Sequence, residues 1–167
     1  MDWPVGPTHQ VRQTLRAPGI AIRDLRPVWK RFVITLQSRH RRTFDSMADP
    51  FTGAAWTPLD PDYAKTKPAG TRKKILYRTG RLRKSMTMGG KSADSIIILE
   101  PKRITYGSRV PYGIFHQVTE RIRKDGAPRK RRFRGMKVPD DLKILMGFLK
   151  THIVSMAARA RRGSVNA

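Results

Sequence analysis

The sequence predicts an α+β fold, a mainly antiparallel sheet covered by two long amphipathic helices, and three observations carry that prediction. Apolar residues recur at steps of three and four from Leu25 to Met47. They do so again from Leu142 to Met156. Between these stretches, DSIIILEP and RITYGS read as two strands separated by Pro101 and Lys102, a spacing that suits an antiparallel hairpin. Two apolar helix stripes need a hydrophobic face to cover, and a sheet supplies it economically. A chain of 167 residues, 38% hydrophobic, can bury one core of this kind but not two.

Residues 1–22 hold three prolines and two glycines without periodicity and read as an N-terminal arm. A single domain is expected over 23–158. Its first helix has Asp24 placed as a cap and Pro27 within the first turn, where a missing N–H costs nothing. Leu25, Val28, Trp29, Phe32, Val33, Leu36, Thr43, Phe44 and Met47 form the apolar stripe. Lys30, Arg31, Arg39, Arg41 and Arg42 form a basic flank.

The long loop 48–74 is punctuated by proline, glycine and aspartate too often for regular structure, and Trp56 and Leu59 are its expected anchors on the core. In ILYRTGRLRKSMTM, Thr79 is expected to cap a short amphipathic turn through Leu82 and Met86 that runs into a strand, and Gly89-Gly90 breaks it. After the two strands comes VPYGIFHQ. Pro111 can start a short helix there, with Ile114, Phe115 and Val118 facing inward. Tyr112 and Phe115 are expected to pack this helix onto the sheet, and His116 and Gln117 to fix the departure of the next loop.

That loop, 119–134, is strongly basic. Arg121 to Arg134 contains eight basic residues and one acid around Gly126 and Pro128, which favours an extended hairpin-like course over a compact helix. The last helix is announced by Val138 and by Asp140 and Asp141 at its positive end. Residues 159–167 read as a basic, frayed C-terminal tail.

The charge balance is extreme, 36 Lys and Arg against 12 Asp and Glu, a formal +24. Such a surface attracts polyanions, whether nucleic acid, an anionic membrane face or an acidic protein, without choosing among them. With no cysteine, disulfides, thiolate metal clusters and thiol nucleophiles are excluded. The histidines His9, His40, His116 and His152 lack zincin spacing, so no metal site is expected. No apolar run reaches the roughly 20 residues of a membrane span, and the first residues do not resemble a secretory signal, so a cytosol-like compartment is expected.

Catalytic constellations are weak. His116 could serve as a base, but it follows Phe115 in an apolar setting with no acid before Glu120 and no serine elbow anywhere, so a hydrogen-bonding role is favoured. Asp45, Asp49, Asp60, Asp62 and Asp94 could in principle hold Mg²⁺ in a nuclease, yet DPFTG and DPDYA are turn sequences. TGRLRKS lacks the glycine spacing of a phosphate-binding loop. No zinc finger, basic zipper or clear helix-turn-helix is present, although non-specific phosphate contact stays open. No catalytic residue and no cofactor are expected.

The series FDSMADPFTGAAWTPLDPDYA, ILYRTGRLRKSM, ITYGSRVPYGIFHQ and APRKRRFRGM, in this order over roughly residues 23–157, resembles the virion-morphogenesis, or tail-completion, family of tailed bacteriophages. The family's Trp-x-Pro-Leu block falls on Trp56, Pro58 and Leu59, and its Thr-Gly block on Leu76, Thr79, Gly80, Leu82 and Ser85. Its His-Gln block falls on Gly107, Ser108, Tyr112, His116 and Gln117, with Phe115 between them, and its last block on Pro128, Arg129 and Phe133. Gly113 stands where the family usually has alanine, a departure expected to matter little. The loop is also more basic than the family requires.

The resemblance implies a non-enzymatic virion protein, a neck ring subunit (tail completion or tail terminator) at the head-tail connector, assembled in the host cytoplasm. Its implied partners are copies of itself in a six-fold, hexameric ring, together with portal, adaptor or head-closure protein, and tail tube or tail terminator. Arg121, Arg123, Lys124, Lys130, Arg131, Arg132 and Arg134 are the expected contacts to acidic partner faces, or to genomic DNA in the lumen. No membrane partner is expected. The alternative from composition alone is a small basic protein that binds nucleic acid non-specifically.

Overall fold

The structure, a computed structural model, describes residues 23–118, 131–133 and 138–165. The chain forms two compact units. One contains 23–32, 99–104 and 139–165, and the other contains 33–98, 105–118, 131–133 and 138. The arm 1–22 lies outside the described residues.

Helix α1 (Arg26–Ser46) starts where Asp24 Oδ1 accepts the Arg26 N–H at 3.0 Å. The same carboxylate is held by the Arg26 guanidinium at 2.8 and 2.7 Å. Val28, Trp29, Phe32, Val33, Leu36, His40 and Phe44 are buried along one side, while Lys30, Arg31, Arg41 and Arg42 are exposed. The buried His40 is satisfied within its own helix, its Nδ1 lying 2.6 Å from the Leu36 carbonyl. The helix ends at Met47, whose φ of 49° turns the chain out of the helical path.

The following segment is more regular than its punctuation suggests. Ala48 and Ala55 form an antiparallel bridge around a turn in which Asp49 Oδ1 accepts the Phe51 and Thr52 N–H groups. Helix α2 (Pro61–Lys65) and a 3₁₀ turn at Ala69–Thr71 then occupy residues expected to be irregular. The physical reason lies in Asp60-Pro61. The carboxylate of Asp60 accepts from Asp62 and Tyr63, and proline fits the first helical turn, so a turn signal became a helix start.

Helix α3 (Arg81–Thr87) is followed by a 3₁₀ turn at Gly89–Lys91, rather than running directly into a strand. Its cap residue is Gly80 at φ 74°, not Thr79. The Thr79 hydroxyl accepts from the Arg81 N–H at 3.4 Å, one position outside the cap. Strands β1 (Ser95–Leu99) and β2 (Ile104–Ser108) fall on the two marked segments and pair as a hairpin.

These two strands are the whole sheet among the described residues, so the fold is α+β with a small sheet rather than helices spread over a broad one. The second unit's core explains how it manages. Phe44 from α1, Leu82 and Met86 from α3, and Trp56, Ile75, Val110 and Phe133 from connecting segments pack together, with Met47, Leu59, Leu76 and Tyr106 around them. Apolar side chains delivered by loops fill space that further strands would otherwise occupy.

Helix α4 (Gly113–Val118) turns a different face inward from the one expected. Ile114 is 62% exposed, Phe115 53% and Tyr112 41%, so Tyr112 and Phe115 do not pack the helix onto the sheet. Val110, just before the helix, and Gly113 at its first position are buried instead, and glycine lets the backbone approach closely. A Cβ at Gly113 would lie 3.2 Å from Leu82 Cδ1 and 3.5 Å from Phe133 Cζ.

Helix α5 (Val138–Val165) carries Asp140 and Asp141 in its first turn. Leu145, Phe148, Leu149, His152, Ile153 and Met156 are partly buried, whereas Leu142 is 56% exposed. The helix continues seven residues beyond 158, through the stretch expected to fray. Ala157, Ala158 and Ala160 have high helix propensity, and Arg159 and Arg162 suit the negative end of the helix dipole.

Candidate functional site

The described residues of the four sequence blocks converge in the second unit. Trp56 Nε1 donates to the Arg132 carbonyl at 2.9 Å, and Arg131 Nε and Nη2 donate to the Thr57 carbonyl at 3.1 and 3.0 Å. Arg131 Nη2 also reaches the Pro58 carbonyl at 3.2 Å. Phe133 then enters the core, its ring 5.6 Å from Phe44, which meets Trp56 edge-on at 6.1 Å. The Trp-Pro-Leu block thereby holds the end of the basic loop, residues 131–133.

A hydrogen-bond chain joins the next two blocks. The Val110 N–H donates to Ser108 Oγ at 3.1 Å, and Ser108 and Ser85 share a 2.6 Å hydroxyl contact. Ser85 donates onward to the Leu82 carbonyl at 2.7 Å, which leaves Ser108 as the donor between the two hydroxyls. Ser95 Oγ donates to the Ser85 carbonyl at 2.6 Å, and the Tyr106 hydroxyl to the Met86 carbonyl. Gly107 is buried beside them.

Where the blocks meet there is a cavity of about 340 Å³, lined by Leu59, Tyr63, Lys67, Leu76 through Gly80, Tyr112, His116 and Arg131. Two left-handed residues shape its wall. Gly80 needs its glycine, since a Cβ would come within 3.1 Å of the Tyr77 ring. Leu76 adopts φ 55° with a full side chain, a conformation that costs about 1–3 kcal/mol and is held by its surroundings.

Cations dominate the cavity's polar groups. Lys67 is only 3% exposed, and its ammonium donates to the Lys74 carbonyl. Burial lowers the Lys67 pKa, and the positive charges of Arg131 and Arg78 lower it further. Burial also lowers the His116 pKa, with a second contribution from Arg131. Among the described residues no carboxylate lines this cavity.

His116 thus borders a cationic hollow. Its carbonyl accepts the Arg131 N–H at 3.2 Å, which ties it to the end of the basic loop, while the loop's departure after Val118 lies outside the described residues. Gln117 is partly buried nearby in sequence. Arg131, expected to face partners, is committed to the Thr57 and Pro58 carbonyls. Arg132 stacks over Phe51 at 5.8 Å. Arg121, Arg123, Lys124, Pro128, Arg129, Lys130 and Arg134 lie outside the described residues.

The aspartates weighed for metal binding are dispersed into other tasks. Asp45 pairs with Arg83 at 2.6 Å, Asp62 with Lys65 at 3.0 Å, and Asp94 with Arg81 at 2.6 Å, while Asp49 and Asp60 support turns. Among the described residues no group of three or more His, Asp or Glu could hold a metal ion. No helix among them is long and apolar enough to cross a membrane.

Sequence reasoning missed Lys67, Tyr63, Tyr77 and Arg78 as cavity residues. Nothing in KTKPAGTRKK distinguishes Lys67 from its basic neighbours, because its burial follows from the fold of the loop. The only signal was aromatic, in Tyr63 and Tyr77 within a punctuated stretch.

Fold and site together define a small, basic α+β protein in which Trp56, Leu82, Ser85, Ser108 and Phe133 join segments of the second unit's core. Residues 7–140 match the model of the phage virion morphogenesis family. The chain belongs to that family and is a phage structural or assembly protein. No curated protein and no solved structure matches it.

Proposed function

We propose that this protein is a neck ring subunit that completes or terminates the tail at the head-tail connector, acting by protein-protein assembly in the virion. Family membership over residues 7–140 is the observation that carries this reading. The +24 charge supports it, because a cationic subunit docks against acidic faces of portal, adaptor or tail-tube proteins by electrostatic steering. A closed ring, hexameric to follow the tail, requires two unlike faces on each subunit. The exposed Tyr112, Ile114 and Phe115 supply apolar surface suited to one of them.

Light scattering on the purified protein, alone and mixed with purified tails or portal, tests the proposal. A ring-sized mass, or stable addition to either partner, is expected. If the protein ignores both and instead binds duplex DNA with a steep salt slope, nucleic-acid binding is its function.

A further inference from the structure

We propose that the cavity bordered by Lys67, Arg78 and His116 is a receptor for a carboxylate carried on a short acidic peptide segment of a partner protein. Of the basic loop 119–134, Arg131 is the described residue that lines this site, and the ring assignment, which rests on the family, would survive its loss.

Charge and placement carry the proposal. Lys67 is 97% buried by its 3% exposure, yet one backbone carbonyl is its described acceptor, while an ammonium has three N–H groups to place. A buried cation is ordinarily paired with an anion, because desolvation is costly without one. Among the described residues the other charged side chains lining the cavity, Arg78 and Arg131, have the same sign. The lowered Lys67 pKa has the same origin, burial first and then those two guanidinium groups. An entering carboxylate would supply the missing charge. Arg78 is exposed at the rim and makes no ion pair among the described residues, so it can share the load.

The walls select the carrier. Leu59, Leu76 and the rings of Tyr63, Tyr77 and Tyr112 offer apolar surface around the cations, and Tyr63 and Tyr112 remain 44% and 41% exposed. A volume of about 340 Å³ lies near the lower end of ligand-pocket sizes and fits an acidic side chain with an adjoining apolar one. A DNA duplex, whose major groove alone is about 12 Å wide, would meet only the rim. A single strand needs an open groove in which successive bases stack, not one recess.

The test is isothermal titration of the full-length protein with acetyl-Leu-Glu-Leu-Asp-amide, with its Gln/Asn counterpart and with oligothymidine. The acidic peptide should bind and the uncharged one should bind at least about tenfold more weakly, as expected for a charge-assisted contact. Lys67→Met should weaken acidic-peptide binding by at least about tenfold, and Arg78→Gln by a few fold. Arg78→Gln alters an exposed side chain, so it remains informative if Lys67→Met fails to fold. Absence of acidic-peptide binding, equal binding of both peptides, or indifference to Arg78→Gln would overturn the proposal. So would oligothymidine that binds more tightly than the acidic peptide and displaces it.

Discussion

Replacing Phe133 with alanine tests whether the end of the basic loop, residues 131–133, is part of the core. Phe133 is 4% exposed, stacks near Phe44 at 5.6 Å, and lies against the site where a Cβ on Gly113 would be. Truncating a phenylalanine so enclosed removes its transfer free energy and leaves a cavity, together about 3–5 kcal/mol. For a protein whose total stability is about 5–15 kcal/mol, that is a large share. At about 2–4 °C per kcal/mol for a chain of this size, the midpoint should fall by about 6–20 °C. Urea unfolding followed by tryptophan fluorescence measures the loss, since Trp56 belongs to the same cluster. Arg132→Gln is the control: it removes only the stacking on Phe51, worth about 0.5–1 kcal/mol at an exposed site, and keeps the carbonyl that Trp56 uses. A Phe133→Ala loss below about 1 kcal/mol, or one matched by the control, would refute the assignment of this segment to the core.

Ser85→Ala breaks the Val110–Ser108–Ser85–Leu82 chain and should cost about 1–3 kcal/mol, read by chemical denaturation. Gly80→Ala forces a side chain onto φ 74° and against Tyr77; a loss of at least about 1–2 kcal/mol is expected in the same assay. His116 has a folded-state pKa below the ordinary 6.5, so the folded protein resists protonation. Its contribution is complete above that value and is lost as pH falls through it toward the lowered folded pKa. Thermal scans from pH 8 to 5 should show this decline, and His116→Gln should flatten it. Asp24 is held down to about 2 from 3.8 by its hydrogen bonds to Arg26, so circular dichroism should show α1 loosening at its start only as pH falls through that interval.

Periodicity and local chemistry made much of the fold legible. Steps of three and four mark a helix because a continuous stripe must face one way, and α1 buries Val28, Phe32, Leu36 and Phe44 accordingly. Turn aspartates announced Asp49 and Asp60, whose hydrogen bonds are to residues two or three positions away. The inward face of α4 was not legible, because a six-residue helix offers too few positions to define a stripe and its burial depended on Leu82 and Phe133. Lys67 shows the same limit more sharply.

By itself, then, the sequence determined the charge, the α+β class, the positions of the long helices and hairpin, and membership of a phage virion morphogenesis family through blocks in a recognisable order. Only the tertiary structure decided that these blocks meet around one cavity, that Arg131 is spent on backbone carbonyls, and that Lys67 is buried among like charges. Local interactions are encoded within a few residues, whereas burial and electrostatic environment are set by neighbours far along the chain. Arg131 and Thr57, 74 positions apart, become partners only once the chain has folded.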